Sequence, residues 1–490
     1  MAFDERTAVI SYAVRGSVIG KYLGQLALMV ALLCLPPLLV SLIYAEYAFT
    51  TRFVGLIALL LVVGLPLARR PATPHLQRNE ALSITALAFA LTPLLMSYPL
   101  MAAHLDLEDA LFEAVSGITT TGLSVLSGMH AHPKTLLFTR AWLQWFGGLG
   151  ILVLWVALLM GHHTATRRLI EPIVSSADLI STTRTYARRM LGLYLALSAL
   201  ALAFIWPGVK DGFSALTLML SAVSTGGFAP FDHNLARYGL HPVAFVILGV
   251  SLASAVALPT YYSAWRSGWR NLPKDLEVRA LLLLTLLFAI LLGLSLHIGS
   301  ALPWRDAIGQ GLLLAMSAQS TTGFSGIDLG QLDDLSKLLM IPSMLIGGSL
   351  GSTAGGFKLL RLLVMLRLLQ MVLREAGAPP HAVIEPWLAG RRLKSRELQW
   401  ALLVFASFVG VVVFSWGAFV AFGYRPLDSL FEVVSATATV GLSTGISSHA
   451  LPPLLKGVLC LDMLAGRVEV IALLVLLFPP TWFGKRTQSP

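Results

Sequence analysis

Apolar runs long enough to cross a bilayer recur along the chain, among them Tyr22 to Ala45, Ala81 to Met101, Ala280 to His297 and Trp400 to Phe422. A spanning helix needs about 20 mainly apolar residues, because the hydrocarbon core is roughly 30 Å thick. Two spans come first, near 20–46 and 51–69. A unit then recurs four times: an apolar helix, a short semi-polar segment, a Ser/Thr/Gly-rich turn and a second apolar helix. The outward helices are predicted near 80–101, 188–206, 278–298 and 398–422, and the return helices near 136–160, 241–263, 337–370 and 453–479. Each middle segment is too short to cross, so it enters and leaves on one side of the membrane. The pattern predicts an all-α polytopic membrane protein of about ten spans. Its units are an N-terminal two-helix unit (1–75) and four repeats (76–162, 185–265, 275–372 and 396–483).

The repeats can be aligned residue by residue. They read Ser116-Gly-Ile-Thr-Thr120-Thr121-Gly122-Leu-Ser124, Ser221-Ala-Val-Ser-Thr225-Gly226-Gly227-Phe-Ala229, Ser317-Ala-Gln-Ser-Thr321-Thr322-Gly323-Phe-Ser325 and Ser435-Ala-Thr-Ala-Thr439-Val440-Gly441-Leu-Ser443. All share Ser-x-x-x-Thr-x-Gly. The match extends upstream, where Asp109-Ala-Leu-Phe-Glu-Ala-Val-Ser116 parallels Asp428-Ser-Leu-Phe-Glu-Val-Val-Ser435. One such turn carries little information, but four copies between paired spans are a strong internal repeat.

Composition agrees with a bilayer: 56% of the 490 residues are hydrophobic, 12% are charged, and mean hydropathy is +0.77. A soluble domain carries about a quarter charged residues. The net charge of +10 is concentrated in particular loops, at Arg69, Arg70 and Arg78, Arg167 to Arg189, Arg266 to Arg279, and Arg367 to Arg396. Alternate loops hold Asp106, Glu108, Asp232, Asp328, Asp333 and Asp334. The positive-inside bias therefore places the basic loops and both termini in the cytoplasm, and the charge is a topology signal rather than a nucleic-acid footprint. Cys34 and Cys460 lie in apolar runs and form neither a disulfide framework nor a metal site. The N-terminus carries no cleavable signal pattern.

Non-helical backbone at membrane depth is tolerated only where protein buries it or it lines a water-filled cavity. Four such turns in one chain can surround a shared axis and share a cavity. The short helix before each turn ends with unpaired carbonyls of partial negative charge. The stretches Thr120-Thr121-Gly122, Thr225-Gly226-Gly227, Thr321-Thr322-Gly323 and Thr439-Val440-Gly441 can present roughly sixteen carbonyls in about four layers to a desolvated cation. None contains a carboxylate, which suits a monovalent ion better than a divalent one.

These turns resemble those of the Trk/Ktr/HKT superfamily of K⁺ transporters, with the bacterial Trk membrane subunit the nearest branch. The resemblance includes Arg140-x-x-x-Gln144-Trp145-x-Gly147-Gly148-x-Gly150-Ile151, Gly347-Gly348-Ser-Leu-Gly351-Ser352-Thr353-Ala-Gly355-Gly356-Phe-Lys358, and Met463-Leu-Ala-Gly466-Arg467-Val-Glu469. It implies K⁺ as the transported ion at the filter residues, with no organic cofactor. It also implies a pseudo-fourfold pore of helix–pore loop–helix repeats, multi-pass residence in a bacterial inner membrane, a homodimer, and a cytosolic nucleotide-binding regulatory subunit. In plant relatives a serine at the first filter glycine accompanies Na⁺ preference; here the position is Gly122, which implies K⁺ acceptance. The chain departs from the family pattern at Ala438, Leu123 and Leu442.

The run Gly347, Gly348, Gly351, Ser352, Thr353, Gly355 and Gly356 is a poor helix at mid-membrane. It reads as a flexible gate beneath the filter, or as a close-packing surface of small residues. A phosphate-loop reading fails, because Lys358 stands one position late and an apolar span precedes it. Arg467 lies deep in the last span, with Asp462 before it and Glu469 after. It reads as an electrostatic barrier or as one half of a structural ion pair. Arg140, Lys358 and Arg361 lie nearer predicted helix ends, where snorkelling explains them as well as a functional role does; His162 and His163 read as interfacial. No nucleophile–base set, metal cluster or phosphate loop falls within a span, so an enzyme is not expected. The leading reading is gated, channel-like K⁺ uptake. The alternative is secondary transport coupled to H⁺ or Na⁺, for which Asp462, Arg467 and Glu469 are the deep ionisable groups.

Overall fold

A computed structural model describes residues 13–71, 76–160, 179–232, 234–379, 381, 387–388, 391–393 and 395–483, with the side chains of 151–160 and 179–186 left undescribed. His162, His163, Arg167 and Arg168 lie outside the described residues. The chain is helical almost throughout; the sheet consists of the two-residue strands β1 (Trp387–Leu388) and β2 (Arg391–Arg392).

The N-terminal unit is α1 (Gly16–Leu33), α2 (Leu35–Ile43) and α3 (Tyr47–Ala68). The first repeat is α4 (Arg78–Leu100), α5 (Leu107–Ile118) and α6 (Lys134–Met160). The second is α7 (Leu179–Val209), α8 (Gly212–Val223), α9 (Pro242–Ser254) and α10 (Leu258–Ser267). In the third, α11 (Leu276–Gly299) and α12 (Trp304–Gln319) precede α13 (Asp334–Ile346) and α14 (Leu359–Ala376). The fourth is α15 (Ser395–Ala421), α16 (Pro426–Thr437), α17 (Pro453–Val468) and α18 (Val470–Leu477), followed by α19 (Pro479–Phe483).

Local chemistry explains many of these starts. Proline occupies the first turn of α9, α16 and α17, where its missing N–H is no loss and its φ suits a helix. Asp211, Asp275 and Asp333 cap α8, α11 and α13 through backbone N–H groups. In the connection before α8, hydrogen bonds from Ser214 hold the Asp211 carboxyl below the usual range.

Six described helices are long and apolar enough to cross a bilayer, or seven if α9 and α10 count as one bent span. Three of the return segments are interrupted. α9 and α10 meet at 86°, α13 and α14 are separated by the glycine-rich loop that the sequence leads one to expect, and α17 and α18 break at Glu469, whose φ is +64°. Sequence hydropathy averages over the first and last of these breaks, because apolar residues flank them on both sides.

The outer helices have two different faces. In α11, Leu281, Thr285, Phe288, Leu292 and Leu296 are buried, while Leu282, Leu283, Leu286, Leu287 and Ile290 are exposed. Both faces are apolar, as expected for a helix with protein on one side and lipid on the other.

The repeats interlock in chain order. Each outward helix packs on the short helix of its own repeat: α4 on α5, α7 on α8, α11 on α12, α15 on α16. Each return helix also packs on the short helix of the next repeat: α6 on α8, α9 on α12, α13 on α16 and, closing the ring, α17 on α5. A chain that runs once around an axis in four steps must bring its last repeat against its first.

Candidate functional site

Each short helix ends in the same turn. In the first repeat the Thr120 amide donates to the Gly117 carbonyl at 3.0 Å and the Thr121 amide to the Ser116 carbonyl at 2.9 Å. This is the paired C-terminal bonding that normally ends a helix at a left-handed glycine. Here the left-handed position is threonine in all four repeats: Thr120, Thr225, Thr321 and Thr439 have φ of 54°, 53°, 53° and 50°. A β-branched residue there costs on the order of 1–3 kcal/mol, and such strain clusters at functional sites. The initial serine of the motif adds a bond in the first and last copies, where the Ser116 and Ser435 hydroxyls accept the Gly122 and Gly441 amides at 3.0 Å.

The motif glycines close the four turns into a ring. Gly122, Gly227, Gly323 and Gly441 have φ between 79° and 93°. A side chain on Gly122 would collide with the carbonyl of Gly226, and one on Gly227 with that of Thr322. On Gly323 it would strike the carbonyl of Val440, and on Gly441 that of Thr121. Each glycine therefore abuts the carbonyl of the residue before the glycine in the next repeat, and the fourth returns to the first. Glycine is required twice over, for φ and for this approach. All four threonines are fully buried. The Thr120 and Thr439 hydroxyls have no partner among the described residues, whereas the Thr321 hydroxyl accepts the Gly355 amide at 2.7 Å.

The glycine-rich segment packs directly against these turns. The Gly356 amide donates to the Ala438 carbonyl at 2.9 Å. The Thr353 hydroxyl lies 3.2 Å from the Val223 carbonyl, 3.1 Å from that of Ser254 and 3.4 Å from the Thr225 hydroxyl. The two ends of the segment are joined by the Phe357, Lys358 and Leu359 amides, which donate to the carbonyls of Leu345, Ile346 and Gly348. Gly347, Gly348, Gly351, Ser352, Thr353, Gly355 and Gly356 thus form a loop lying against three of the four turns. Helical packing of small residues does not describe this segment, because its backbone is not helical.

Arg467 reaches this loop from α17. Its guanidinium donates to the Thr353 carbonyl at 2.7 Å and to the Gly147 carbonyl at 3.2 Å, and Nε has no partner. The expected ion-pair alternative fails, since no carboxylate bonds Arg467 among the described residues. Glu469 pairs instead with Arg361, and Asp462 accepts the Ser415 hydroxyl at 2.6 Å. The snorkelling expectation also fails. Arg140 is 2% exposed and pairs with Glu113 at 2.7 Å, and buried Lys358 donates to the Ala354 carbonyl. Both lie inside the protein because partners neutralise or bond them there.

Several residues outside the expected filter and gate sets also surround the turns. Glu113 accepts the Ser124 hydroxyl and Val125 amide while pairing with Arg140, whose guanidinium also stacks 3.9 Å from the Phe228 ring. Glu432, its counterpart in the fourth repeat, accepts from Ser443, Thr444 and Ser447. Gln144 donates to the Gly226 carbonyl at 2.6 Å, and Asn234 to the Gly323 carbonyl at 3.3 Å. The shared Phe-Glu before each serine was a signal for the two glutamates. Asn234 left none, because it arrives from the irregular connection between α8 and α9.

The comparisons with known proteins agree with this geometry. The family model TrkH, a cation transport protein, matches residues 48–480. An uncharacterized cation transporter of Methanocaldococcus jannaschii is 28% identical over 93% of this chain and 94% of its own length. The Trk system potassium uptake protein TrkH of Halomonas elongata is 30% identical over 94% of this chain and 98% of its own. The crystal structure of the potassium transporter TrkH from Vibrio parahaemolyticus superposes with a TM-score of 0.84 at 27% identity, covering 96% of this chain and all of that one. With a family match across most of its length and the four-turn ring in place, this chain belongs to the TrkH family of cation transport proteins.

Proposed function

We propose that the protein takes up K⁺ across a bacterial inner membrane through a gated, channel-like pore. The observation that carries this reading is the closed ring of four Thr-x-Gly turns, each glycine against the next repeat's carbonyl. Thr120, Thr121, Gly122, Thr225, Gly226, Gly227, Thr321, Thr322, Gly323, Thr439, Val440 and Gly441 would replace the ion's hydration shell with carbonyl and hydroxyl oxygens. The partnerless hydroxyls of Thr120 and Thr439 are then available as ligands. An uncharged oxygen ring suits a monovalent cation, and relatives named for potassium uptake support K⁺.

Beneath the ring, the loop 347–356 and Arg467 act as the gate. The five-unit division at 1–75, 76–162, 185–265, 275–372 and 396–483 is part of the same proposal, as are cytoplasmic termini and assembly as a homodimer. A cytosolic nucleotide-binding subunit would supply regulation by docking on the loops near 163–187 and 371–397, the first lying largely outside the described residues. Coupled transport is the weaker reading, because Asp462 is turned to Ser415 and Glu469 to Arg361.

The test is a reversal potential in liposomes with opposed K⁺ and Na⁺ gradients, scanned over pH, for the unaltered chain and Gly122→Ser. The unaltered chain should follow the K⁺ gradient at every pH. The serine variant should move toward the Na⁺ potential, because its side chain presses on the Gly226 carbonyl. A potential that shifts with the proton gradient would replace the channel reading with coupling. Unchanged permeability ratios in a folded Gly122→Ser protein would remove Gly122 from the filter.

A further inference from the structure

We propose that Glu277 is a positioning residue that latches the loop 347–356 from its cytoplasmic side, an inference that rests on reading that loop as the gate. The tip of the loop has two sets of partners. Toward the four turns it is held through Thr353 and Gly355, as described above. On its other side, the Ser349 amide donates to the Ala255 carbonyl at 2.9 Å, and the Gly351 carbonyl accepts the Leu258 amide at 3.4 Å. Between these two, the Leu350 amide donates to Glu277 Oε2 at 2.8 Å. The other acceptors are carbonyls or hydroxyls; Glu277 is the one carboxylate bonded to the loop among the described residues.

The geometry suits a releasable hold. Glu277 stands in the first turn of α11, where a carboxylate is favoured by the helix N-terminus. The first-turn amides are already served by Asp275, whose carboxylate accepts from Glu277 and Val278 at 2.9 and 3.1 Å. Glu277 is therefore free to turn away from its own helix and reach across to Leu350, 73 positions along the chain. The bond lies at the half-buried cytoplasmic rim rather than in the ring, so breaking it alters the position of the loop without touching the proposed ion ligands.

The test compares Glu277→Ala and Glu277→Gln in the full-length protein, reconstituted in liposomes, with K⁺ flux measured per correctly folded molecule. Glu277→Ala should raise flux by about tenfold, as expected for loss of one strong hydrogen bond. Glu277→Gln retains an oxygen for the Leu350 amide and should stay within about twofold of the unaltered protein. A purely structural role moves neither in this way: it predicts lower flux or less folded protein for alanine, with no rescue by glutamine. Flux of Glu277→Ala at or below that of the unaltered chain overturns the latch, and so does a glutamine variant as leaky as alanine. A third chain, shortened between Gly348 and Gly355, separates this proposal from the gate on which it rests. If shortening raises flux and Glu277→Ala does not, only the latch falls; if neither raises flux, the gate reading falls with it.

Discussion

Arg467 carries one positive charge to a place lined by carbonyls rather than carboxylates. Its two bonds go to Thr353 on the loop and Gly147 on α6, so the guanidinium bridges the loop 347–356 to the first repeat. At about 6 Å and an effective dielectric of about 20, repulsion of a passing monovalent cation is roughly 3 kcal/mol, enough to slow flux about a hundredfold. Arg467→Ala should therefore increase K⁺ flux per folded molecule while leaving the K⁺ preference in place. Removing half of a buried ion pair strands a charge and costs several kcal/mol, but no carboxylate here would be stranded. The variant should accordingly fold, with thermal unfolding in detergent as the control. Flux at or below that of the unaltered protein would exclude the barrier. Sequence alone located Arg467 but left barrier and ion pair open, because i and i+2 spacing to Glu469 says nothing of Arg361, 108 residues from Glu469.

At the scale of elements, the interrupted return helices matter most. Three of the four are broken near the level of the turns, and two of the breaks are tied together by the Arg361–Glu469 pair. Glycine and small residues let the segment after Gly347 leave the helix without burying bulk, and its hydroxyls and neighbours supply partners for the freed backbone. Shortening the loop between Gly348 and Gly355 should raise cation leak without changing the K⁺/Na⁺ permeability ratio. A variant that folds and conducts less than the unaltered chain would show that the loop shapes the path rather than closing it. The glycine count made this break legible in advance. The bend at Ala255 was not, because Ala255-Val256-Ala257 reads as continued apolar helix.

At the scale of the whole molecule, buried ion pairs join neighbouring repeats around the ring. Lys456 at the start of α17 bonds Asp109 of α5 at 2.5 Å, both nearly fully buried, and the fourth repeat thereby meets the first. Lys337 of α13 bonds Asp428 of α16 at 2.8 Å, the equivalent step between the third and fourth repeats. Lys456→Met should destabilise the protein by about 3–5 kcal/mol, since Asp109 is left buried with only the exposed His449 beside it. Arg425→Ala, which removes a mostly exposed partner of Asp334, should cost at most about 1 kcal/mol. Unfolding in detergent would compare the two, and a Lys456→Met protein as stable as Arg425→Ala would deny the pair its closing role.

The repeat of apolar spans, the four Thr-x-Gly turns and the asymmetry of basic loops follow from local chemistry, since bilayer thickness, turn geometry and loop charge act on neighbouring residues. Sequence by itself therefore determined the class of fold and the segments that meet at the site. Only the tertiary structure decided that each glycine abuts the next repeat's carbonyl, that Arg140 and Lys358 lie inside, that Arg467 holds Thr353, and that Glu277 reaches Leu350. Those relations join residues tens to hundreds of positions apart, and closing a chain around an axis selects among partners that no local pattern distinguishes.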